Sequence, residues 1–280
     1  MSRGWLVWID GLRESVAALD RGLQFGDGLF ETIACVRGEP RFLRRHLERL
    51  TRGCARLHIP MQDPAPIGAR VRQLARASER SIVKVVVTRG VALARGYAFS
   101  GAEKASCITF QYPAPQDLSA VADNGVKVQT LQLRLGENPA LAGLKHCNRL
   151  EQILARAEWS DPAIFEGLLF SHSGHLASGT MSNVFLVKAG RLATPRVDRC
   201  GVAGVMRAVV LDTARQLAVP VEECTLEAGA LRQAEEIFLT NARIGILPVA
   251  MLDERALSIG PITQRLRTAL APLLEEPVDA

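Results

Sequence analysis

Residues 113–125 include Pro113, Pro115, Asp117, Asp123, Asn124 and Gly125, and no other stretch constrains the fold as strongly. Proline removes a backbone donor, and Asp, Asn and Gly favour turns, so no regular element is expected to run through this segment. The chain therefore reads as two domains, a smaller one over 1–113 and a larger one over 121–280, with a linker over 114–120. The length of 280 residues suits that division, since domains run to roughly 100–200 residues each.

The texture on both sides is mixed. Before the linker, 5–9 reads as a strand closed by Asp10-Gly11, and 30–36 as another turning at Arg37-Gly38. Leu43, Leu47, Leu50, Cys54 and Leu57 recur at helical spacing. A second helix is expected over 65–77, a β-branched strand over 82–88 and a strand over 106–112. After the linker, strands are expected over 126–131, 167–170, 184–187 and 237–240, with a turn at Ser173-Gly174. Leu150, Ile153, Leu154 and Ala157 mark one helix. Met206, Val209, Val210, Thr213, Ala214 and Leu217 mark another, and 262–274 a last one. The fold class is α/β in the broad sense (α+β).

Charge narrows the functional classes. The net charge of +5 rests on 29 arginines and only five lysines, Lys84, Lys104, Lys127, Lys145 and Lys188. The arginines are interspersed with acids, as in Arg44, Arg45, Glu48, Arg49 and Arg52. With two tyrosines and three tryptophans, platforms for stacking bases are scarce. A basic, non-catalytic nucleic-acid-binding protein is thus a distant alternative, and no nucleic-acid partner is expected. No apolar run approaches the roughly 20 residues that span a bilayer, so no membrane association is expected. The apolar stretch 5–9 is too short for a secretory signal. The six cysteines are scattered without a CxxC pair, so free thiols in the cytoplasm and no metal site are expected.

Five short constellations could carry chemistry. Gly201-Val202-Ala203-Gly204-Val205-Met206-Arg207 brackets a helix start with glycines, either an anion site at the first-turn amides or an ordinary turn. Lys145 follows a largely apolar stretch, where a desolvated amine could form a Schiff base, or it is a solvated lysine near a helix start. Ser178-Gly179-Thr180-Met181-Ser182-Asn183 crowds small polar residues at the entry to a buried strand. Arg49 adjoins the apolar stripe of its helix, where it could face a buried anion, or it is one of many surface arginines. Thr88-Arg89-Gly90 and Arg95-Gly96-Tyr97 place arginines on a glycine-containing loop, suited to carboxylates or simply solvated.

In their order and spacing these segments resemble the fold-type IV family of pyridoxal-phosphate enzymes, which includes branched-chain and D-amino-acid aminotransferases and aminodeoxychorismate lyases. The resemblance spans nearly the whole chain. It starts at Asp20-Arg21-Gly22-Leu23-Gln24-Phe25-Gly26-Asp27-Gly28-Leu29-Phe30-Glu31 and His46-x-x-Arg49-Leu50, and ends at Phe238-Leu239-Thr240-Asn241-Ala242 with Pro248-Val249. Within the family, the lysine region over 134–139 and 141–152 is most similar to the lyases, as is Arg95-Gly96-Tyr97. The aminotransferases typically have a tyrosine five residues after the lysine, where this chain has Leu150.

The resemblance implies a D-amino-acid-aminotransferase-like fold with pyridoxal 5'-phosphate in the interdomain cleft, in a homodimer. It implies Lys145 as Schiff base and proton shuttle, Arg49 on the cofactor phosphate, Val205 and Met206 as backbone donors to it, and Asn241 and Ala242 as a second phosphate-side loop. Arg95, Tyr97 and Arg89 become candidates for the substrate. The implied activity is conversion of the small molecule aminodeoxychorismate to 4-aminobenzoate and pyruvate, a step toward folate. An aminotransferase of the same fold is the alternative. One position departs from the pattern. Ser178 stands where the family usually has a glutamate against the pyridine nitrogen, and a hydroxyl there implies a weaker electron sink.

Overall fold

The computed structural model describes residues 6–9, 15–114 and 119–275. Trp5, the expected turn at Asp10-Gly11 and most of the linker lie outside the described residues. The chain divides into two compact units, Met1–Gln116 with Lys145–Asn148 and Glu275–Ala280, and Asp117–Leu144 with Arg149–Leu274. The lysine segment thus clusters with the first unit, although it comes from the middle of the chain.

The first unit contains β1 (Leu6–Ile9), α1 (Arg21–Phe25), β2 (Gly28–Val36), β3 (Glu39–Pro40), α2 (Leu43–Arg56), α3 (Ala65–Ala75), β4 (Arg80–Thr88) and β5 (Ser106–Pro113). Its sheet is antiparallel in the order β1-β5-β4-β2-β3. β2 and β4 pair along their full length, from Gly28↔Thr88 to Val36↔Arg80. Their β-branched residues fit a pleated surface, and period-2 alternation sends Ile33, Val83 and Val85 into a core with Leu43, Leu50, Val71 and Leu74. Each such side chain contributes roughly 1.5–3 kcal/mol by leaving water. Gly53 allows α2 to approach β2 closely, because a Cβ there would lie 2.6 Å from Leu29 Cδ1. The opposite alternation places Phe30, Lys84, Phe110 and Tyr112 on the other face, where they are half-buried.

The second unit contains α4 (Ser119–Asn124), β6 (Val126–Leu135), α5 (Leu150–Arg156), β7 (Ile164–Ser171), β8 (Leu176–Gly179), β9 (Asn183–Lys188), β10 (Arg191–Pro195), α6 (Val205–Gln216), β11 (Val221–Cys224), α7 (Ala228–Gln233), β12 (Glu236–Asn241), β13 (Gly245–Leu252), β14 (Arg255–Ala256) and α8 (Pro261–Glu275). The sheet runs β11-β10-β9-β12-β13-β6-β7-β8, with β14 against β13. It mixes parallel pairs, such as β13-β6 and β6-β7, with antiparallel ones. Val184, Leu186, Ile237, Leu239, Leu247 and Leu168 form its core. Phe185 and Phe238, on neighbouring strands, stack at 4.9 Å between centroids.

Three features add to the sequence reading. α4 forms at 119–124, inside the stretch read as turn-rich. β13 runs through Pro248, a residue that argues against a strand but is tolerated here opposite Phe238. α5 forms as expected, yet Leu150, Ile153 and Leu154 are 73%, 62% and 61% exposed while Ala155 is buried. Its apolar stripe is therefore not part of a core within this chain.

Candidate active site

The lysine segment is held by the edge of β2. Phe30 N–H donates to the Lys145 carbonyl and Cys147 N–H to the Gly28 carbonyl, both at 2.9 Å. The resulting antiparallel bridge pairs Leu29 with His146, so Lys145 takes the register of Phe30. Lys145 is half-buried, with Nζ 4.3 Å from the centroid of the Phe30 ring. Asn148 Nδ2 donates to the Gly26 carbonyl at 3.2 Å. Gly26 itself is left-handed at φ +66, and a Cβ there would strike Asn148. Lys84 Nζ also approaches Phe30, at 5.1 Å. Two of the five lysines therefore converge on one ring.

Arg49 pairs with a buried carboxylate of its own unit. Glu31, 2% exposed, accepts from Arg49 Nε at 2.7 Å and Nη2 at 2.5 Å, and from His46 Nδ1 at 2.6 Å. His46 and Arg49 stand three residues apart on α2, so both reach the same carboxylate. Burial alone would raise the pKa of Glu31, but the charge of Arg49 and the contact with His46 bring it down to about 2. Burial pushes His46 below its usual range, and Arg49 and Lys145 push it the same way against the pull of Glu31. A neutral His46 then donates from Nδ1, and its buried Nε2 has no hydrogen-bond partner among the described residues.

In the second unit, three loops meet at the start of α6. Gly204 caps the helix with no side-chain bond, and no acidic residue occupies its first turn. The N–H groups of Val205 and Met206 cannot be satisfied within the helix. With the helix dipole they leave a partial positive charge at this end, which would suit an anion. Gly204 is required by packing, since a Cβ would lie 2.1 Å from Asn183 Oδ1. Asn183 Nδ2 donates to the Val202 carbonyl at 2.9 Å, and Asn241 Nδ2 to the Met181 carbonyl at 3.1 Å. Asn241 Oδ1 accepts from the amides of Arg243 and Ile244, which shapes the turn that carries Ala242.

Ser178 lies in β8 opposite Leu169 and is 8% exposed. Its hydroxyl makes no hydrogen bond to another described residue. Glu166, fully buried, does not take over a role there. Its carboxylate accepts from the amides of Gly167, Thr180 and Met181 and from the hydroxyls of Thr180 and Ser182. It is committed to shaping the loop before Asn183.

The three substrate candidates separate. Arg89, expected to meet a carboxylate of the substrate, is 3% exposed and already engaged. Nε and Nη2 bond Asp27 at 2.7 and 3.0 Å, Nη1 bonds the His58 carbonyl, and Nη2 also the Leu57 carbonyl. The correction follows from donor count: a guanidinium spent on these partners has little left for a ligand. Arg95 and Tyr97 are exposed, Tyr97 by 83%. The sequence reading missed Glu31, His46, Asn183 and Lys84. Glu31 had a signal, a single acid among the apolar residues of a strand; Lys84 had a similar one in 82–88.

The sequence is 31% identical over 267 residues to the aminodeoxychorismate lyase of Vibrio harveyi, covering 94% of this chain and 98% of that one. It is 27% identical over 262 residues to the D-alanine aminotransferase of Bacillus licheniformis, covering 90% and 89%. The fold matches the crystal structure of 4-amino-4-deoxychorismate lyase from Pseudomonas aeruginosa with a TM-score of 0.92 at 42% identity, over 97% of this chain and 100% of that one. The sequence pattern of the family described as amino-transferase class IV matches residues 28–252, and the chain belongs to that family of pyridoxal-phosphate-dependent enzymes.

Proposed function

We propose that the chain is a pyridoxal-phosphate-dependent aminodeoxychorismate lyase that forms 4-aminobenzoate and pyruvate for folate synthesis. The observation that carries this reading is Lys145 held on the edge of β2, its Nζ against Phe30, in the same unit as the Arg49–Glu31–His46 cluster. The likeness to the two lyases over nearly their full lengths favours a lyase over an aminotransferase.

The residues fit the cofactor chemically. In the first unit Lys145 would supply the amine and Arg49 a cation for an anionic group; in the second unit the first-turn amides of Val205 and Met206 would supply donors for a phosphate. Asn241 and Ala242 shape the adjoining turn, and Gly204 keeps the cradle open. Ser178 offers a hydroxyl for the ring nitrogen. When bound, the cofactor supplies an electron sink for the carbon that bears the substrate amine. Lys145 Nζ takes the proton from that carbon. The neighbouring carbon–oxygen bond breaks, and Lys145 Nζ returns the proton to the methylene carbon of the departing enolpyruvate, giving pyruvate. The ring gains aromaticity, which offsets a sink weakened by Ser178. Arg95 and Tyr97, with Lys84 as a further cation, are our candidates for the two substrate carboxylates.

The exposed stripe Leu150, Ile153 and Leu154 supports a homodimer, and six free thiols suit a reducing cytoplasm. The expected boundaries near Pro113 and Val121 belong to the same reading. Purified enzyme should show near-visible absorbance that borohydride abolishes while leaving the cofactor covalently on Lys145, and should release pyruvate from aminodeoxychorismate. Amino transfer to a keto acid without pyruvate release would make it an aminotransferase instead.

A further inference from the structure

Two buried arginines share one carboxylate in the first unit. Arg21 Nε and Arg89 Nε both bond Asp27 Oδ2, at 2.9 and 2.7 Å, and both arginine side chains are 4% exposed. Burying two cations against one acid costs desolvation that a single ion pair does not recover. Backbone carbonyls complete the arrangement. Arg21 Nη1 donates to the carbonyls of Gly96 and Ala98 at 3.1 and 3.2 Å, and Nη2 to that of Tyr97 at 2.8 Å. Arg89 lies over the Phe99 ring, 3.9 Å from its centroid. The Phe25 ring meets Tyr97 edge-on at 5.4 Å and also receives the Arg21 guanidinium. Further along, Glu103 accepts from the amides of Ser100 and Gly101.

Beyond the two bonds to Asp27 and the Arg21–Phe25 contact, these contacts fall on the loop that carries Arg95 and Tyr97 or on the residues that follow it. Arg21 grips three successive carbonyls there, a geometry that needs a planar fork and that a lysine cannot reproduce. We propose that Arg21, anchored by Asp27 and backed by Arg89, is a positioning residue: it fixes the backbone of the 95–99 loop so that Arg95 and Tyr97 meet the substrate carboxylate in one geometry. The role rests on the reading of Arg95 and Tyr97 as substrate-facing residues of the lyase. Without the grip, each substrate encounter would have to order the loop, and that cost enters KM.

The test is steady-state kinetics of the cofactor-loaded enzyme on aminodeoxychorismate, with bound-cofactor absorbance read in parallel. Arg21→Lys is expected to raise KM about tenfold with kcat within about twofold and absorbance unchanged. Arg95→Ala should raise KM as well. The Arg21→Lys, Arg95→Ala double variant should then raise KM by clearly less than the product of the two single effects, because part of the Arg21 effect runs through Arg95. Phe25→Leu, which loosens only the ring contacts, should raise KM about threefold. It decides the matter if Arg21→Lys does not accumulate as folded protein. Additive KM effects in the double variant, a fall in kcat at unchanged KM, or lost absorbance would overturn the proposal. If the wild type releases no pyruvate, the lyase reading falls as well. If it does and neither Arg21→Lys nor Phe25→Leu moves KM, the positioning role alone falls.

Discussion

Glu31 is the residue on which the first unit's electrostatics turn. Its folded pKa of about 2 lies below the ordinary 4.5. It therefore contributes stability that is present above about pH 4.5 and lost as pH falls toward 2. His46, held below its ordinary 6.5, resists protonation that the unfolded chain accepts. Stability should thus start to fall below about pH 6.5 and fall further below 4.5. Denaturant midpoints measured from pH 7 to 3 should decline throughout, and Glu31→Gln should flatten the lower part of the curve. An unchanged curve in that variant would contradict the assignment. Arg49→Ala leaves Glu31 buried without its main partner and should cost about 3 kcal/mol by chemical denaturation, together with weaker cofactor retention on dialysis. Ser178→Glu should strengthen the electron sink and raise amino transfer to pyruvate as a side reaction, read as D- or L-alanine formed. Arg49 was legible in the sequence because it borders an apolar helical stripe. The burial of Arg89 was not, because its partners are Asp27 and carbonyls distant in sequence, which no local pattern reveals.

Helices and strands with strong periodicity were legible: β2, β4, α2 and α6 all form where spacing placed them. α1 escaped notice because at five residues it is too short to show a period, and β13 because Pro248 interrupts its pattern. In α5 the apolar period does not coincide with burial. Its apolar period identifies a helix, yet what covers the stripe is not written in the period. Ile153→Glu should leave the melting temperature of the chain within about 2 °C, since an exposed site costs little, but should shift sedimentation toward monomer. A variant that sediments like the wild type would remove α5 from the proposed dimer contact. At the start of α6, Gly204→Ala would drive a Cβ into Asn183. It should weaken cofactor binding by an order of magnitude or more, seen as a higher cofactor concentration for half-maximal near-visible absorbance. Unchanged binding would place the phosphate elsewhere.

At the scale of the whole molecule, the structure divides into two compact units. What the linear pattern could not show is that Lys145–Asn148 returns to the first unit to pair with β2. That non-local pairing joins the lysine to Arg49 and Glu31, and the candidate site depends on it. Lys145→Ala should retain the far-ultraviolet circular dichroism of the wild type while losing turnover by a factor of about 10³ or more, in keeping with loss of its proton transfer and of the cofactor linkage. The most direct test of the account is a product assay of the cofactor-loaded enzyme with aminodeoxychorismate. The account predicts pyruvate and 4-aminobenzoate in equal amounts, with no amino acid consumed. Absence of both products, with an amino group passed from an amino acid to a keto acid, would contradict it.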